Sequence, residues 1–256
     1  MNPEPHDRTP ERSTDWFVDH LLADAERFAA VLAAGGLDAP VAACPGWDIA
    51  KLAEHLGQVH RWAEFCVRLA RPPSADERAA LGSFDPADAA AWMRDGAGRL
   101  AATLRTIDPD GPTWHPFPAD PVARLWPRRM AHETAVHRWD AEHAAGRPAG
   151  VDAALASDGI DEYFEVMLPR KVARDGITLP AGSLHVHCTD TDGEWLVRVD
   201  GSGYHLTREH AKGDAVLRGP AAPIVLRLWG RAPDDAGELA HFGDEAVLAD
   251  WLALGG

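Results

Sequence analysis

Hydrophobic positions recur at helical spacing up to about residue 150 and alternate at strand spacing after it. The first part predicts a four-helix bundle, with helices of about 20 residues. The predicted helices span 14–34, 49–70, 86–107 and 121–145. Ser13 or Thr14 is suited to cap the first helix, and Asp48 the second. The fourth is predicted to open at Asp120-Pro121, with Pro127 bending it or delaying its start.

Beyond residue 150 the periodicity changes. Helices are predicted over 152–172, 220–229 and 245–254. Between them, alternating runs at 183–188, 194–199, 204–207 and 215–217 are typical of half-buried strands. The sequence therefore predicts an α+β protein of two domains. A disordered lead-in (1–12) precedes a helical bundle (13–150), and a small α+β domain with an antiparallel sheet follows (151–256).

The fourth predicted helix places charged residues on its apolar side. With about 100° per residue, Glu133, His137 and Asp140 fall on the same side as Trp126 and Met130. The opposite side, predicted to face water, carries Arg128, Ala131, Ala135, Arg138 and Glu142. Buried carboxylates and imidazoles must be paired or must bind a metal. This conflict between pattern and chemistry is the sharpest functional signal in the chain.

The same segment is similar to the H-E-x-x-H zinc motif, but its spacing differs. His132 and His137 are five residues apart, so they diverge by about 140° and cannot bind one ion on a regular helix. Glu133 and His137 are four apart and diverge by only about 40°, which makes them the better ligand pair. The alternative is a surface ladder of ion pairs, Arg129–Glu133–His137, without a metal.

A third ligand is available from the second predicted helix. His55 lies in its apolar stripe, whereas His60 points about 140° away and is set aside. An ordinary core histidine is the alternative interpretation of His55. With Glu133 and His137 it would supply two imidazoles and one carboxylate and leave a position open. That pattern is typical of a catalytic zinc site and also suits Fe(II), Ni(II) or Mn(II).

Other polar residues have narrower predicted roles. Asp140 can orient a ligand, and Arg129 can pair with Glu133 or bind an anionic substrate. His185 and His187 share one side of a predicted strand. With no third ligand near them in the sequence, we expect surface or interdomain positions for both.

Composition narrows the class of protein. The net charge of −15 argues against nucleic acid or an anionic membrane as a partner. No apolar run approaches the roughly 18 residues of a membrane span, and the polar start is unlike a secretory signal. Three isolated cysteines, Cys44, Cys66 and Cys188, suit a cytoplasmic protein with reduced thiols.

Several segments together resemble the mycothiol-dependent maleylpyruvate isomerase family, within the DinB-like bundle superfamily. The bundle segments are Cys44-Pro45-Gly46-Trp47-Asp48, Glu54-His55-Leu56-Gly57-Gln58-Val59-His60-Arg61-Trp62 and His132-Glu133-Thr134-Ala135-Val136-His137-Arg138-Trp139-Asp140. The later ones are Leu226-Arg227-Leu228-Trp229-Gly230-Arg231 and Phe242-Gly243-Asp244. The resemblance implies a metal-binding DinB-like four-helix bundle followed by a sterol-carrier-like α+β domain.

The resemblance also implies a chemistry. A divalent metal, usually zinc, would be held by His55, Glu133 and His137, and mycothiol would bind as the activating thiol. Its metal-bound thiolate would add to the double bond of maleylpyruvate, the bond would rotate, and the thiol would leave. Arg231 matches the arginine that assists, with Arg227 in reserve. Mycothiol implies an actinobacterial source, in line with the Arg and Ala bias.

The predicted function is therefore a metal-dependent, mycothiol-using isomerase or S-transferase. Relatives in the family transfer thiols to electrophiles, so the resemblance alone does not choose between the two reactions. The expected partners are a small thiol and a small anionic electrophile, and the expected assembly is a monomer or homodimer. The alternative is a metal-binding or regulatory protein without turnover.

Overall fold

The computed structural model describes residues 12–201, 203–232 and 236–255, in two compact units. One unit contains residues 12–116 and 120–150, and the other contains residues 117–119 and those after 150. The predicted lead-in, apart from Arg12, lies outside the described residues. The predicted α+β class is confirmed, with a helical first unit and a sheet in the second.

The first unit contains the predicted four-helix bundle. Its long helices are α1 (Thr14–Ala33), α2 (Ile49–Leu69), α4 (Ala89–Leu104) and α5 (Leu125–Ala144). Both α1 and α2 pack against α4 and α5. Of the two candidate caps of α1, Ser13 is the cap, since it accepts from Trp16 N at 3.2 Å. The predicted cap of α2 is confirmed, since Asp48 accepts from Lys51 N at 2.7 Å. A short helix, α3 (Ala75–Ala79), and a 3₁₀ turn (Pro86–Asp88) precede α4.

The fourth long helix begins later than the Asp120-Pro121 signal predicted. Helix α5 starts at Leu125, so Pro127 is its third residue. Within the first turn a proline costs no hydrogen bond, because those N–H groups have no partner inside the helix. Pro127 therefore delays the start of the helix, which was one of its two predicted effects.

The prediction that one side of α5 faces water is wrong. Arg138 is fully buried, and Ala131, Ala135 and Glu142 are buried with it. A helical wheel assumes one buried side, whereas α5 packs against both α1 and α2. The buried charges there are paired: Arg138 Nε donates to Asp24 Oδ1 at 3.0 Å and an Arg138 terminal nitrogen to Glu142 Oε2 at 2.8 Å.

A glycine sets the close packing of α2 against α4. The Arg61 guanidinium stacks 3.4 Å from the centre of the Trp92 ring and donates to Gly57 O at 3.0 Å and Asp95 Oδ2 at 2.7 Å. A Cβ on Gly57 would lie 1.9 Å from Trp92 Nε1. Because glycine has no side chain, α2 can pack this closely against α4. The position of α2, and with it that of His55, therefore depends on glycine at position 57.

The second unit has helices on either side of its strands in the sequence. Helices α6 (Ala153–Glu162) and α7 (Leu168–Asp175) are joined by a π-helical turn (Tyr163–Met167). The strands are β1 (Gly182–Cys188), β2 (Glu194–Asp200), β3 (Gly203–Thr207), β4 (Ala215–Gly219) and β5 (Ala240–Gly243). Helix α8 (Ala221–Leu228) follows β4, a 3₁₀ turn (Ala236–Glu238) precedes β5, and α9 (Glu245–Ala253) follows it.

The sheet is mixed, which corrects the antiparallel prediction. Its strand order is β3-β2-β1-β4-β5, and β1 and β4 are parallel while the other neighbours are antiparallel. Strand β5 was missed because it is short and its residues lack a buried side with alternating polarity. No helix in the described part of the chain is long and apolar enough to cross a membrane.

Replacing Arg138 should destabilise the bundle. In Arg138→Met, Asp24 and Glu142 lose a buried partner, and breaking a buried ion pair costs about 3–5 kcal/mol. Urea unfolding of the purified protein measures the loss. The control is Arg94→Met, whose partner Glu26 is exposed, and its effect should be much smaller. Equal losses in both variants would contradict the structural role of Arg138.

Candidate functional site

Helices α2 and α5 bring the three predicted ligands together. Glu133 Oε1 lies 3.5 Å from His55 Nε2 and 3.4 Å from His137 Nε2. One donor atom from each residue lies within 4.8 Å of the other two. The His55 and His137 rings meet edge to face, with centroids 5.3 Å apart. The sequence predicted that His55 of the second long helix would meet Glu133 and His137 of the fourth, and the structure has this arrangement.

Glu133 is held as a carboxylate. Arg129, one turn earlier on α5, donates to its second oxygen, Oε2, at 2.7 Å. Burial alone would raise the pKa of Glu133, but hydrogen bonds with His137 and His55 and the charge of Arg129 outweigh it and hold that pKa well below the usual value. One oxygen of Glu133 thus faces the two imidazoles while the other faces the arginine.

His137 is oriented by Asp140. Its Nδ1 lies 3.0 Å from Asp140 Oδ2, and a carboxylate can only accept, so Nδ1 carries the proton. This leaves Nε2 turned toward Glu133. Burial lowers the pKa of His137, but hydrogen bonds to Asp140 and Glu133 outweigh it and raise the pKa to about 9. The role that the sequence predicted for Asp140 fits this contact.

The three residues are partly exposed. Their side chains are 34% (His55), 20% (Glu133) and 13% (His137) exposed, while most of α5 is buried. Glu133 and His137 are therefore mostly buried, in line with their predicted place on the apolar side of the helix, but solvent still reaches both. A surface ladder does not describe the site, since Arg129 is only 2% exposed. A small molecule could approach the ligands from solvent.

His132 lies away from this cluster, as its spacing predicted. It is buried, with its ring centroid 6.2 Å from that of Phe17 on α1. His60, which the wheel set aside, is also fully buried, with Nε2 2.9 Å from Thr134 Oγ1 on α5. Burial lowers the pKa of His60 to about 3, so its imidazole is neutral.

Sequence reasoning missed two residues from the turn before α2. A Cys44, His137 and Asp140 grouping also has donor atoms within 4.8 Å of one another. The Trp47 ring packs against that of His55, with centroids 5.0 Å apart. The usable signal was the Cys44-Pro45-Gly46-Trp47 turn, which directly precedes the helix that carries His55.

The two predicted arginines of the second unit lie at the end of α8. Arg231 is buried and donates to Trp229 O at 2.8 Å, and Arg227 is half-buried in the last turn of α8. Their predicted roles toward a substrate stay predictions.

The donor set fits a divalent transition metal. Two imidazole nitrogens and a carboxylate oxygen are typical zinc ligands, and tetrahedral bonds of roughly 2.0–2.1 Å put ligand atoms about 3.4 Å apart. The distances from Glu133 Oε1 to His137 Nε2 and His55 Nε2, 3.4 and 3.5 Å, are close to that spacing. Iron, nickel and manganese use the same ligand types, so the donors fit a metal without selecting one.

Comparison with known families gives the chain its place. Residues 18–142 match the family model described as the mycothiol maleylpyruvate isomerase N-terminal domain. Residues 154–250 match the MDMPI C-terminal domain. The chain belongs to the mycothiol-dependent maleylpyruvate isomerase family. Among proteins with curated functions, no match was found.

Solved structures agree with this assignment at the level of the fold. The chain is similar to the crystal structure of the mycothiol-dependent maleylpyruvate isomerase, with a TM-score of 0.60 and 13% identity over 90% of this chain and 93% of that one. A histidine-to-alanine mutant of the isomerase matches with the same TM-score and coverage at 12% identity. The family resemblance stated from the sequence is confirmed.

Removing one ligand should remove metal from the bundle. His55→Ala should lose about one equivalent of bound zinc relative to the wild type, because three protein ligands become two. Elemental analysis after dialysis against zinc measures this. His20→Ala is the control, since His20 lies on α1 against Trp16. If the wild type and His55→Ala bind the same amount of zinc, His55 is not a metal ligand.

Changing the residue behind His137 should weaken binding without abolishing it. Asp140→Asn keeps the shape of the side chain but loses the carboxylate, which should weaken zinc binding about 10–100-fold. Competition with a chromogenic chelator measures the affinity. Asp95→Asn, which alters an exposed partner of Arg61, should leave it unchanged. If Asp140→Asn also binds zinc like the wild type, Asp140 does not support the ligand.

Proposed function

We propose that this protein is a metal-dependent, mycothiol-using enzyme that acts as a cis-trans isomerase or as a thiol S-transferase. The observation that carries the proposal is the cluster of His55, Glu133 and His137, whose side chains are within reach of one another and partly exposed. These residues lie in the segments that carry the family resemblance. A purely structural metal site is usually closed by four protein ligands, and this grouping offers three.

His55, Glu133 and His137 would hold the divalent ion, with zinc as the first candidate. When bound, such an ion lowers the pKa of a coordinating thiol so that the sulfur is present as thiolate at neutral pH. Arg129 fixes the carboxylate of Glu133, and Asp140 fixes the ring of His137. Neither ligand then has to reorganise when a thiol arrives.

The geometry supports a role for Arg129 in positioning. Its buried guanidinium contacts Glu133 Oε2 at 2.7 Å, the oxygen that faces away from the imidazoles. The second role that the sequence allowed, binding the anionic part of a substrate, is a proposal that the variants below test. For the acidic groups of a substrate, Arg231 with Arg227 in reserve is the other proposed source of positive charge.

Isomerisation in this proposal consumes no oxidant and no second substrate. The thiolate adds to one alkene carbon, and the π pair of the double bond moves toward the conjugated carbonyl. Rotation about the resulting single bond follows. The carbon–sulfur bond then breaks as the pair returns to form the trans alkene, and the thiolate is regenerated. In an S-transferase the carbon–sulfur bond stays, and either a leaving group departs with its electron pair or the adduct takes up a proton.

The proposal places the protein in a reducing compartment. Among the described residues, Cys44, Cys66 and Cys188 form no disulfide. Disulfides are rare in the cytoplasm, where thiols are kept reduced, so we propose a cytoplasmic location. Mycothiol as cosubstrate would imply an actinobacterial source. A monomer or homodimer is the proposed assembly.

A direct assay separates the two reactions. With zinc-loaded protein, loss of the maleylpyruvate absorbance only when mycothiol is present would identify an isomerase. Consumption of an activated aryl chloride, with mycothiol but without any effect on maleylpyruvate, would identify an S-transferase. His137→Ala should lower either rate by more than the roughly 10–100-fold expected for a supporting residue, and His20→Ala should not.

The same assay can also contradict the proposed enzymatic function. If zinc is retained but neither reaction proceeds above the rate of mycothiol alone, the protein is a metal-binding or regulatory protein. The variants Arg129→Lys and Arg231→Lys test the roles proposed for the two arginines. A raised KM with unchanged kcat assigns an arginine to substrate binding, whereas loss of bound zinc assigns it to holding the site.

A further inference from the structure

A second group of metal-binding side chains lies on the sheet of the C-terminal unit. His185, His187, Glu194 and His210 each offer one donor atom, and these atoms all lie within 4.8 Å of one another. The expectation that His185 and His187 lack a third ligand is therefore wrong. None of the four belongs to the group of His55, Glu133 and His137, called the bundle site below. The proposed reaction uses none of the four.

The pairing of β1 and β2 places three of these donors. His185 and His187 are two apart on β1, so both side chains leave the same side of the sheet. Glu194 begins β2 and lies directly opposite His187. The other side of β1 carries Leu184 and Val186, which are fully buried. The apolar side packs into the core, and the polar donors gather on the reverse.

The connection after β3 supplies the fourth donor. Strand β3 lies on the far side of β2 and β1 from β4, so residues 208–214 must cross both strands. His210 lies in this crossing, with its ring centroid 5.4 Å from that of His185 and 5.9 Å from that of His187. Gly213 approaches so closely that a Cβ there would lie 2.8 Å from His185 N.

The donor atoms converge on one carboxylate. His210 Nδ1 lies 2.9 Å from Glu194 Oε1 and 3.0 Å from Oε2. His185 Nε2 lies 3.8 Å from Glu194 Oε2, and His187 Nδ1 hydrogen-bonds Oε1. Tetrahedral zinc places its ligand atoms about 3.4 Å apart, so small side-chain rotations suffice to surround an ion.

One donor points into the group without a hydrogen bond. The His185 side chain is only 6% exposed, and among the described residues its Nε2 has no hydrogen-bond partner. A buried nitrogen without a partner is costly, and such atoms in native structures call for an explanation. A ligand that accepts the nitrogen lone pair would supply the missing interaction.

The donor types suit a cation. Neutral imidazole and ionised carboxylate are the forms in which these side chains bind metals.

We propose that His185, His187, Glu194 and His210 form a second divalent metal site, with zinc as the fitting ion. Three nitrogens and one oxygen suit zinc or another late first-row metal, whereas magnesium and calcium prefer oxygen alone. Four protein ligands close the coordination sphere, which is the pattern of a structural site. The ion ties the 208–214 crossing to β1 and β2.

Metal titration of a variant that lacks the bundle site tests this directly. His55→Ala/His137→Ala protein, stripped with a chelator, should still bind one equivalent of Zn²⁺. Adding His210→Ala should weaken that binding by more than the roughly 10–100-fold that loss of a supporting residue costs. The His210 side chain is 78% exposed, so its removal should leave the fold intact. His205→Ala, an exposed histidine of β3, is the matched control and should bind like its parent.

Two further measurements test the second metal site: a Co²⁺ spectrum and the number of bound Zn²⁺ equivalents. In the His55→Ala/His137→Ala parent, Co²⁺ in place of Zn²⁺ should give the intense visible bands of a four-coordinate ion. Adding His210→Ala to this parent should abolish those bands. If the bundle-site variant does not fold, the wild type should bind two equivalents of Zn²⁺ and His210→Ala one. No equivalent in the folded bundle-site variant, or one equivalent that survives both His210→Ala and His187→Ala, would overturn the second site.

Discussion

The carboxylate of Glu133 is the constraint on which the bundle site depends. A negative charge on a closely packed helix must be compensated, and the chain does so on both oxygens, with Arg129 on one and two imidazoles on the other. Both Arg129 and His137 lie one turn from Glu133 on α5. His55 has to come from α2, so the site exists only when the bundle packs correctly. The close contact at Gly57, which lets Arg61 and Trp92 meet, contributes to that packing.

The same principle explains why α5 can be buried on nearly all sides. Arg138 is fully buried, yet it is paired with Asp24 on α1 and with Glu142 on its own helix. Each charge on α5 that the bundle buries in this way contacts a partner at hydrogen-bond distance. A helix that carries six Asp, Glu or Arg side chains can then pack closely within the bundle, and it can present Glu133 and His137 where solvent reaches them.

Local signals in the sequence predicted much of this, and long-range packing accounts for the failures. The caps at Ser13 and Asp48 and the spacing of Glu133 and His137 are local, so they could be read directly. The burial of Arg138 and His60 could not, because a wheel assumes one packed side and α5 and α2 have more. In the sheet, Glu194 begins the predicted strand that follows the one carrying His187, so its position opposite His187 was within reach. His210 was not, since its place depends on the strand order β3-β2-β1-β4.

We propose that His55, Glu133 and His137 hold a metal that takes up the thiol. X-ray absorption at the zinc edge tests this most directly, on His210→Ala protein so that the sheet site does not contribute. Without thiol, we expect the zinc to have only nitrogen and oxygen neighbours. With mycothiol, it predicts one added sulfur at about 2.3 Å, the usual zinc–thiolate distance. A spectrum that mycothiol leaves unchanged, in protein that retains its zinc, would contradict it.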